Sequence, residues 1–102
     1  IAMKNRDPII ACMGLAYKPD VDDLRESPAV KIARSLVNSN CNILISEPNI
    51  NFHNEFELTS IEDALDNADI IVWLVGHNQY LKKTFSKNKI QFDFCGLKKH
   101  KI

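Results

Sequence analysis

Residues 70–75 spell IIVWLV, an apolar run that contains no polar residue and is followed by Gly76. A run of this length, rich in β-branched and aromatic residues, is typical of a strand whose two faces are both buried. Because only an interior strand of a layered fold is covered on both faces, the run predicts the central strand of the molecule.

Three more segments have strand character, and each is closed by a glycine or a proline. They are residues 9–15, residues 42–46 and residues 91–95. The first has Gly14 near its end, Pro48 follows the second, and Gly96 follows the third. Glycine and proline end regular structure, so these positions bound the predicted strands.

Helix signals lie between the strands. Ser27 and Pro28 are an N-cap residue and the residue favoured in the first helical turn, and apolar residues then recur at helical spacing through residue 37. Ser60 with Asp63 resembles a capping box that opens a second helix ending at residue 67. Residues 78–83 are compatible with a short third helix.

Strand and helix segments therefore alternate along the chain. This order predicts an α/β fold, a small doubly wound parallel sheet in a Rossmann-like three-layer sandwich, with helices on both faces. In such sheets, ligands bind beyond the carboxyl ends of the strands, near the point where the strand order reverses.

The chain has 102 residues, which predicts one domain spanning residues 1–102 with residues 1–7 and 98–102 as flanking segments. The first residue is Ile1 and the first seven residues carry no structural pattern, so we expect an excised part of a longer protein.

The 13 basic and 13 acidic residues balance, which argues against a nucleic-acid partner. Without a membrane span or signal peptide, we expect no membrane association and a cytoplasmic location.

Three cysteines, Cys12, Cys41 and Cys95, form no C-x-x-C pair. This pattern indicates neither a disulfide framework nor a zinc site, and we expect no metal. Cys12 and Cys95 lie in apolar strand-like runs, which favours buried structural roles over a nucleophile. His77, just after the central strand, is expected to be structural or solvent-facing.

The connection between the first strand and its helix is unusually long and polar. It lies within MGLAYKPDVDDLRESPA, residues 13–29, and has about a dozen residues where such loops commonly have roughly two to six. Lys18 and Arg25 would lie over the strand ends, beside the amide-rich start of the helix, which favours an anionic ligand. We expect the neighbouring acids to orient these two bases and to cap the helix; they are Asp20, Asp22, Asp23 and Glu26.

Other interpretations of this loop remain open. A solvated acidic loop with incidental ion pairs fits the same spacing. A divalent-metal loop fits less well, because the regular oxygen-ligand spacing and the mid-loop glycine of a calcium loop are missing. The first strand lacks a G-x-G-x-x-G motif and the chain lacks a G-x-x-x-x-G-K motif, so neither a dinucleotide site nor a triphosphate site of the usual kind is predicted.

GLAYKPDVDDLRESPA resembles the signature that opens the C-terminal domain of the UDP-glucose/GDP-mannose dehydrogenase family. The likeness extends to ADIIVWLV with its polar loop and to the closing FDFCG. It implies a domain that helps bind the nucleotide sugar of an NAD-dependent enzyme, a homo-oligomer, that oxidises the sugar C6 alcohol to a carboxylate in polysaccharide biosynthesis. The NAD-binding domain and the catalytic cysteine would lie outside this chain, which would have no catalytic residue of its own.

By this resemblance, Tyr17 and Lys18 contact the UDP-sugar and Arg25 reaches the NAD held by the other domain. GHNQY, residues 76–80, is most similar to the UDP-N-acetylmannosamine branch. One departure concerns Asp93, after which some members carry a substrate-binding Arg; Lys98 or Lys99 would have to replace it. The alternatives are a receiver-like signalling module, which would need an acceptor Asp at the end of a central strand, and an interaction module without a ligand.

Overall fold

The structure is a computed structural model that describes residues 7–20, 22–81, 83 and 88–95. Its four strands are β1 (Ile9–Met13), β2 (Asn42–Ser46), β3 (Ile70–Trp73) and β4 (Ile90–Asp93). Its three helices are α1 (Pro28–Asn38), α2 (Ile61–Asn67) and α3 (Asn78–Leu81). The predicted elements are therefore present in the predicted order.

The four strands form one parallel sheet in the order β2-β1-β3-β4. All four residues of β3 are buried, which confirms the prediction of an interior strand from the apolar run. The strand ends at Trp73 rather than Val75. The Met13 carbonyl accepts from the N–H groups of both Leu74 and Val75, so the bond from Val75 departs from the regular ladder.

Alternate side chains of β1 and β2 enter two different cores, one on each face of the sheet. Ala11, Met13, Ile71 and Trp73 pack with α2 and with Tyr80 of α3. On the opposite face, Cys12 and Ile45 are among the residues that pack with Val30 and Ala33 of α1. Helices therefore cover both faces, as the doubly wound three-layer prediction required.

Helices α1 and α2 begin where the sequence predicts, but the serines at their N-cap positions make different kinds of hydrogen bond. Ser60 Oγ accepts a hydrogen bond from the Asp63 N–H at 3.1 Å and caps α2. Ser27 occupies the N-cap position of α1 without capping it, since its Oγ donates to the carbonyls of Leu15 and Ala16. The predicted side-chain cap of α1 is therefore wrong, because a buried loop carbonyl competes for the hydroxyl.

Gly14 ends β1 in a conformation that other residues rarely adopt. Its φ is +106°, and a Cβ added there would lie 2.6 Å from the Val75 Cβ. The absent side chain lets the start of the β1–α1 connection pass closely against the chain that follows β3.

Cys12 is fully buried, and burial, followed by the nearby Cys41, raises the pKa of its thiol to about 12. Its predicted structural role agrees with this environment. Cys95 lies beyond the end of β4 and is only half-buried, so the prediction that it lies buried in a strand is wrong. Within the described residues, no helix has both the length and the apolar character needed to cross a membrane.

Candidate functional site

The β1–α1 connection, residues 14–20 and 22–27, is called the signature loop below. It begins at the carboxyl end of β1, beside β3, and the strand order reverses between these two strands. A cleft of 230 Å³ opens there. It is lined by Ala16, Tyr17, Lys18, Pro19, Pro28, Ala29, Leu74, Val75, Gly76 and Cys95. The cleft therefore occupies the position at which doubly wound sheets bind their ligands.

Tyr17 and Lys18 lie on the loop at the edge of this cleft. The Tyr17 side chain is 57% exposed, and it also borders a second cleft of 530 Å³ that contains Arg25. Lys18 is exposed. Among the described residues, no carboxylate pairs with its ammonium group, so the prediction that the loop acids orient Lys18 is wrong and its positive charge faces solvent.

Arg25 is held as predicted by one acid of the loop. Its Nε donates to Asp23 Oδ1 at 3.0 Å and its Nη2 donates to Asp23 Oδ2 at 2.9 Å. These hydrogen bonds from Arg25 lower the pKa of Asp23 to about 2. The Arg25 side chain is 88% exposed, so the pair orients the guanidinium without burying it, and its remaining donors face outward.

Glu47, the residue after β2, is a buried carboxylate that the sequence analysis missed. Its Oε1 accepts from the N–H groups of Leu15 at 2.8 Å and Ala16 at 3.0 Å, and its Oε2 accepts from the Asn49 N–H at 2.9 Å. Burial by itself would raise the pKa of Glu47, but the hydrogen bonds from His77 and from the Leu15 and Asn49 amides outweigh it, so its pKa is lowered. The sequence signal that could have identified Glu47 is an acidic residue directly after a predicted strand.

His77 is fully buried and binds Glu47, with 2.7 Å between its Nε2 and Glu47 Oε1. The other ring nitrogen, Nδ1, accepts a hydrogen bond from the Asp20 N–H at 2.8 Å. A backbone N–H can only donate, so Nδ1 carries no proton and Nε2 donates to the carboxylate. His77 is therefore the neutral Nε2–H tautomer, and it is structural, one of the two roles that the sequence predicted for it.

Asp20 also departs from its predicted role. Its Oδ1 accepts from the Asn78 N–H at 2.7 Å, and its φ of 64° lies in the left-handed region that Asp tolerates better than most residues. The carboxylate therefore ties the signature loop to the start of α3 instead of orienting a base or capping α1.

Three further points of the sequence analysis concern a metal site, an acceptor Asp and a replacement for the missing Arg. Within the described part of the chain, no three His, Cys, Asp or Glu side chains come together as metal ligands. β3 is followed by Leu74, Val75 and Gly76, so a receiver-type acceptor Asp is not at its end. Lys98 and Lys99, predicted to replace the missing Arg, lie outside the described residues.

The strand order, the helices on both faces and a cleft at the reversal point define a doubly wound α/β domain of the ligand-binding type. The family model described as "UDP-glucose/GDP-mannose dehydrogenase family, UDP binding domain" matches residues 11–100. The chain belongs to this family, which confirms the resemblance drawn from the signature loop.

Three relatives illustrate the similarity. A UDP-N-acetyl-D-mannosamine dehydrogenase of Campylobacter jejuni is 45% identical over 84 residues, which are 74% of this chain and 20% of that protein. An NDP-N-acetyl-D-galactosaminuronic acid dehydrogenase of Ralstonia solanacearum is 42% identical over 86 residues, 79% of this chain and 20% of that protein. The solved structure of a UDP-D-ManNAc dehydrogenase from Pyrococcus horikoshii aligns with a TM-score of 0.73 and 30% identity, covering 89% of this chain and 22% of that one.

The chain thus spans about a fifth of the length of the curated relatives that it matches. The similarity concerns one part of a larger enzyme type, namely the part whose family description is UDP binding.

Proposed function

We propose that this chain is the nucleotide-sugar-binding domain of a longer NAD-dependent UDP-sugar 6-dehydrogenase, which oxidises the C6 alcohol of a UDP-hexose to the uronic acid. The substrate we propose is UDP-N-acetylmannosamine, because the Campylobacter relative is named for that sugar and GHNQY is similar to that branch. The chain alone is not catalytic. We place the catalytic cysteine and the NAD-binding domain in other parts of the longer protein.

The observation that carries the proposal is the cleft at the strand-order reversal with Tyr17 and Lys18 at its edge. Lys18 presents a positive charge that no described carboxylate neutralises. The cleft also reaches Pro28 and Ala29, the first residues of α1, which has no side-chain cap and no acid in its first turn. A free ammonium group and the amide end of a helix together favour a phosphate-bearing ligand. Tyr17 adds an exposed ring on which a base or sugar can pack.

Arg25 suits a contact with NAD that is bound elsewhere in the protein. This chain has no glycine-rich dinucleotide loop after β1, so it does not hold NAD by itself. Asp23 engages Nε and Nη2 of Arg25, and the remaining N–H donors of the exposed guanidinium are available to an anion from outside the domain. NAD, when bound, supplies the hydride acceptor, and Arg25 would help to position it.

The GHNQY motif, residues 76–80, would influence the choice of sugar only indirectly. His77 and Tyr80 of GHNQY are both fully buried, so neither side chain is available to touch a sugar in the cleft. The motif would shape the loop that does. We further propose that the longer enzyme is a cytoplasmic homo-oligomer with its other domains covering the cleft.

The proposal is tested by titrating UDP and UDP-N-acetylmannosamine into the chain while following backbone amide shifts by NMR. We expect shifts that cluster on residues 14–20, 22–27 and 74–77, and a loss of affinity of about tenfold or more in Lys18→Ala because a charge-assisted phosphate contact is removed. Lys31→Ala is the matched control, because Lys31 is an exposed lysine of α1 outside the residues that line the cleft.

The same UDP titration applies to the longer protein. Steady-state kinetics of that protein provide a second test, because Arg25→Ala should raise the KM for NAD more than the KM for the UDP-sugar. If UDP shifts no amide of the cleft in either the chain or the longer protein, the proposal is wrong. A ligand-free interaction module would then be the better interpretation of the fold.

A further inference from the structure

We propose that Glu47 and His77 are positioning residues: together they hold both ends of the short segment that carries Tyr17 and Lys18. This inference rests on the proposed function, since it assigns the pair a role in presenting the nucleotide-sugar contacts. Neither residue touches the ligand in this account. Both act through the backbone of the signature loop.

Glu47 and a serine hold the first end of the segment. Glu47 Oε1 accepts from the N–H groups of Leu15 and Ala16, directly before Tyr17. The carbonyls of the same two residues accept from Ser27 Oγ, at 2.6 Å from Leu15 and 3.2 Å from Ala16. Glu47, Leu15, Ala16 and Ser27 are all buried. Donors and acceptors on both sides of the backbone are thus occupied by buried side chains, which sets the direction in which Tyr17 leaves the sheet.

His77 holds the second end. Its Nδ1 accepts from the N–H of Asp20, two residues after Lys18, and Asp20 Oδ1 accepts from the Asn78 N–H. Asn49 Nδ2 lies 3.2 Å from the same Nδ1, and its Oδ1 accepts from Gln79 Nε2, so the amide presents its donor to the ring. Two donors therefore converge on Nδ1, which requires the neutral tautomer.

One hydrogen bond joins the two ends. His77 Nε2 donates to the Glu47 oxygen that also accepts from Leu15 and Ala16. Glu47 follows β2, Leu15 follows β1 and His77 follows β3, so the pair clamps three strand ends to one another and to the loop. A loop held in its binding conformation loses less conformational entropy when the ligand binds, which is how such a clamp raises affinity.

Two substitutions of His77 separate the two halves of the clamp. In His77→Gln, the side-chain amide can donate to Glu47 in place of Nε2, but nothing replaces the acceptor for Asp20. In His77→Asn, the side-chain oxygen can accept from Asp20 in place of Nδ1, but the bond to Glu47 is lost. Both variants remove the ring that packs 5.6 Å from Tyr80, so each controls for the packing lost in the other.

The measurement is amide hydrogen exchange of Asp20 by NMR on the chain without ligand, normalised to the amide of Ala11 in β1. We expect exchange about tenfold faster in His77→Gln than in His77→Asn. Equal Asp20 exchange in the two variants would overturn the proposal. UDP affinity is measured beside it and should be weaker in His77→Gln than in His77→Asn.

The parent chain supplies a test that does not depend on folding of the variants. A long-range ¹H–¹⁵N spectrum of the His77 ring at neutral pH should show one protonated nitrogen, Nε2, and one bare nitrogen, Nδ1. A proton on Nδ1 would contradict the proposal, because Nδ1 could not then accept the hydrogen bond from the Asp20 N–H. If the parent chain and the longer protein bind no UDP, the proposed function fails, whereas Asp20 exchange and the ring tautomer still decide whether the pair positions the loop.

Discussion

Burial and hydrogen bonding shift the pKa of the Glu47 carboxyl in opposite directions. Burial raises its pKa, whereas the bonds donated by His77 and by the amides of Leu15 and Asn49 lower it and prevail. A carboxyl whose pKa is lower in the folded chain than in the unfolded chain stabilises the fold above the unfolded pKa, about 4.3 for Glu. That stabilisation is lost as the pH falls through the lower, folded-state pKa.

Glu47→Gln tests this linkage. At pH 7 we expect the variant to be less stable by about 2 kcal/mol, because a charged acceptor of buried hydrogen bonds is removed. The difference should shrink as the pH falls below about 4.3, since protonation removes the same charge from the parent. Urea unfolding at a series of pH values measures this difference in the free energy of unfolding. Glu57→Gln is the control, because Glu57 is exposed. A difference that stays constant down to acid pH would contradict the assignment.

Gly14 is required for two independent reasons, its positive φ and its contact with Val75. In Gly14→Ala, a left-handed backbone costs about 1–2 kcal/mol and the crowded Cβ adds about 1–3 kcal/mol. We expect the free energy of unfolding to fall by the sum of these two effects, as measured by chemical denaturation. A total cost of only about 1–2 kcal/mol would show that the chain after β3 moves aside easily, because the backbone strain alone would remain. A cost below about 1 kcal/mol would contradict both effects.

At the scale of the elements, two serines in equivalent positions perform different functions. Both occupy the N-cap of a helix, yet only Ser60 bonds to its own helix. The local pattern is the same, so sequence predicted a cap in both places. It was wrong for Ser27 because the carbonyls of Leu15 and Ala16, brought close by the sheet, offer a buried competing acceptor.

Alanine at each serine distinguishes these roles. Ser60→Ala should destabilise the chain by about 1 kcal/mol through the loss of the α2 cap. Ser27→Ala should cost about 1–3 kcal/mol, because two buried carbonyls lose a donor. In NMR spectra, the first change should perturb α2 amides and the second should perturb the amides of Leu15 to Lys18. Perturbation confined to α1 in Ser27→Ala would mean that the serine acts as a cap after all.

At the scale of the whole molecule, protection from solvent should follow the order of strands in the sheet. β1 and β3 each have a strand on both sides, whereas β2 and β4 each pair with one strand among the described residues. On its other side β2 has only an isolated bridge, between Ile45 and Leu58. We therefore expect amides of β1 and β3 to exchange most slowly, at rates that approach the limit set by global unfolding. Native-state hydrogen exchange tests this, and equal protection of β4 and β3 would indicate that another segment covers the β4 edge.

Local pattern and loop length in the sequence determined most of the architecture: the alternation of elements, the interior strand β3 within residues 70–75, and a long loop presenting Tyr17, Lys18 and Arg25. Each depends on residues close together in the chain, so periodicity and turn residues suffice to predict it. Only the tertiary structure decided how that loop is held. Glu47 lies 30 residues from His77, and His77 lies 57 residues from Asp20. These groups meet because three strand ends converge in a parallel sheet, and no local pattern records which polar groups will pair there.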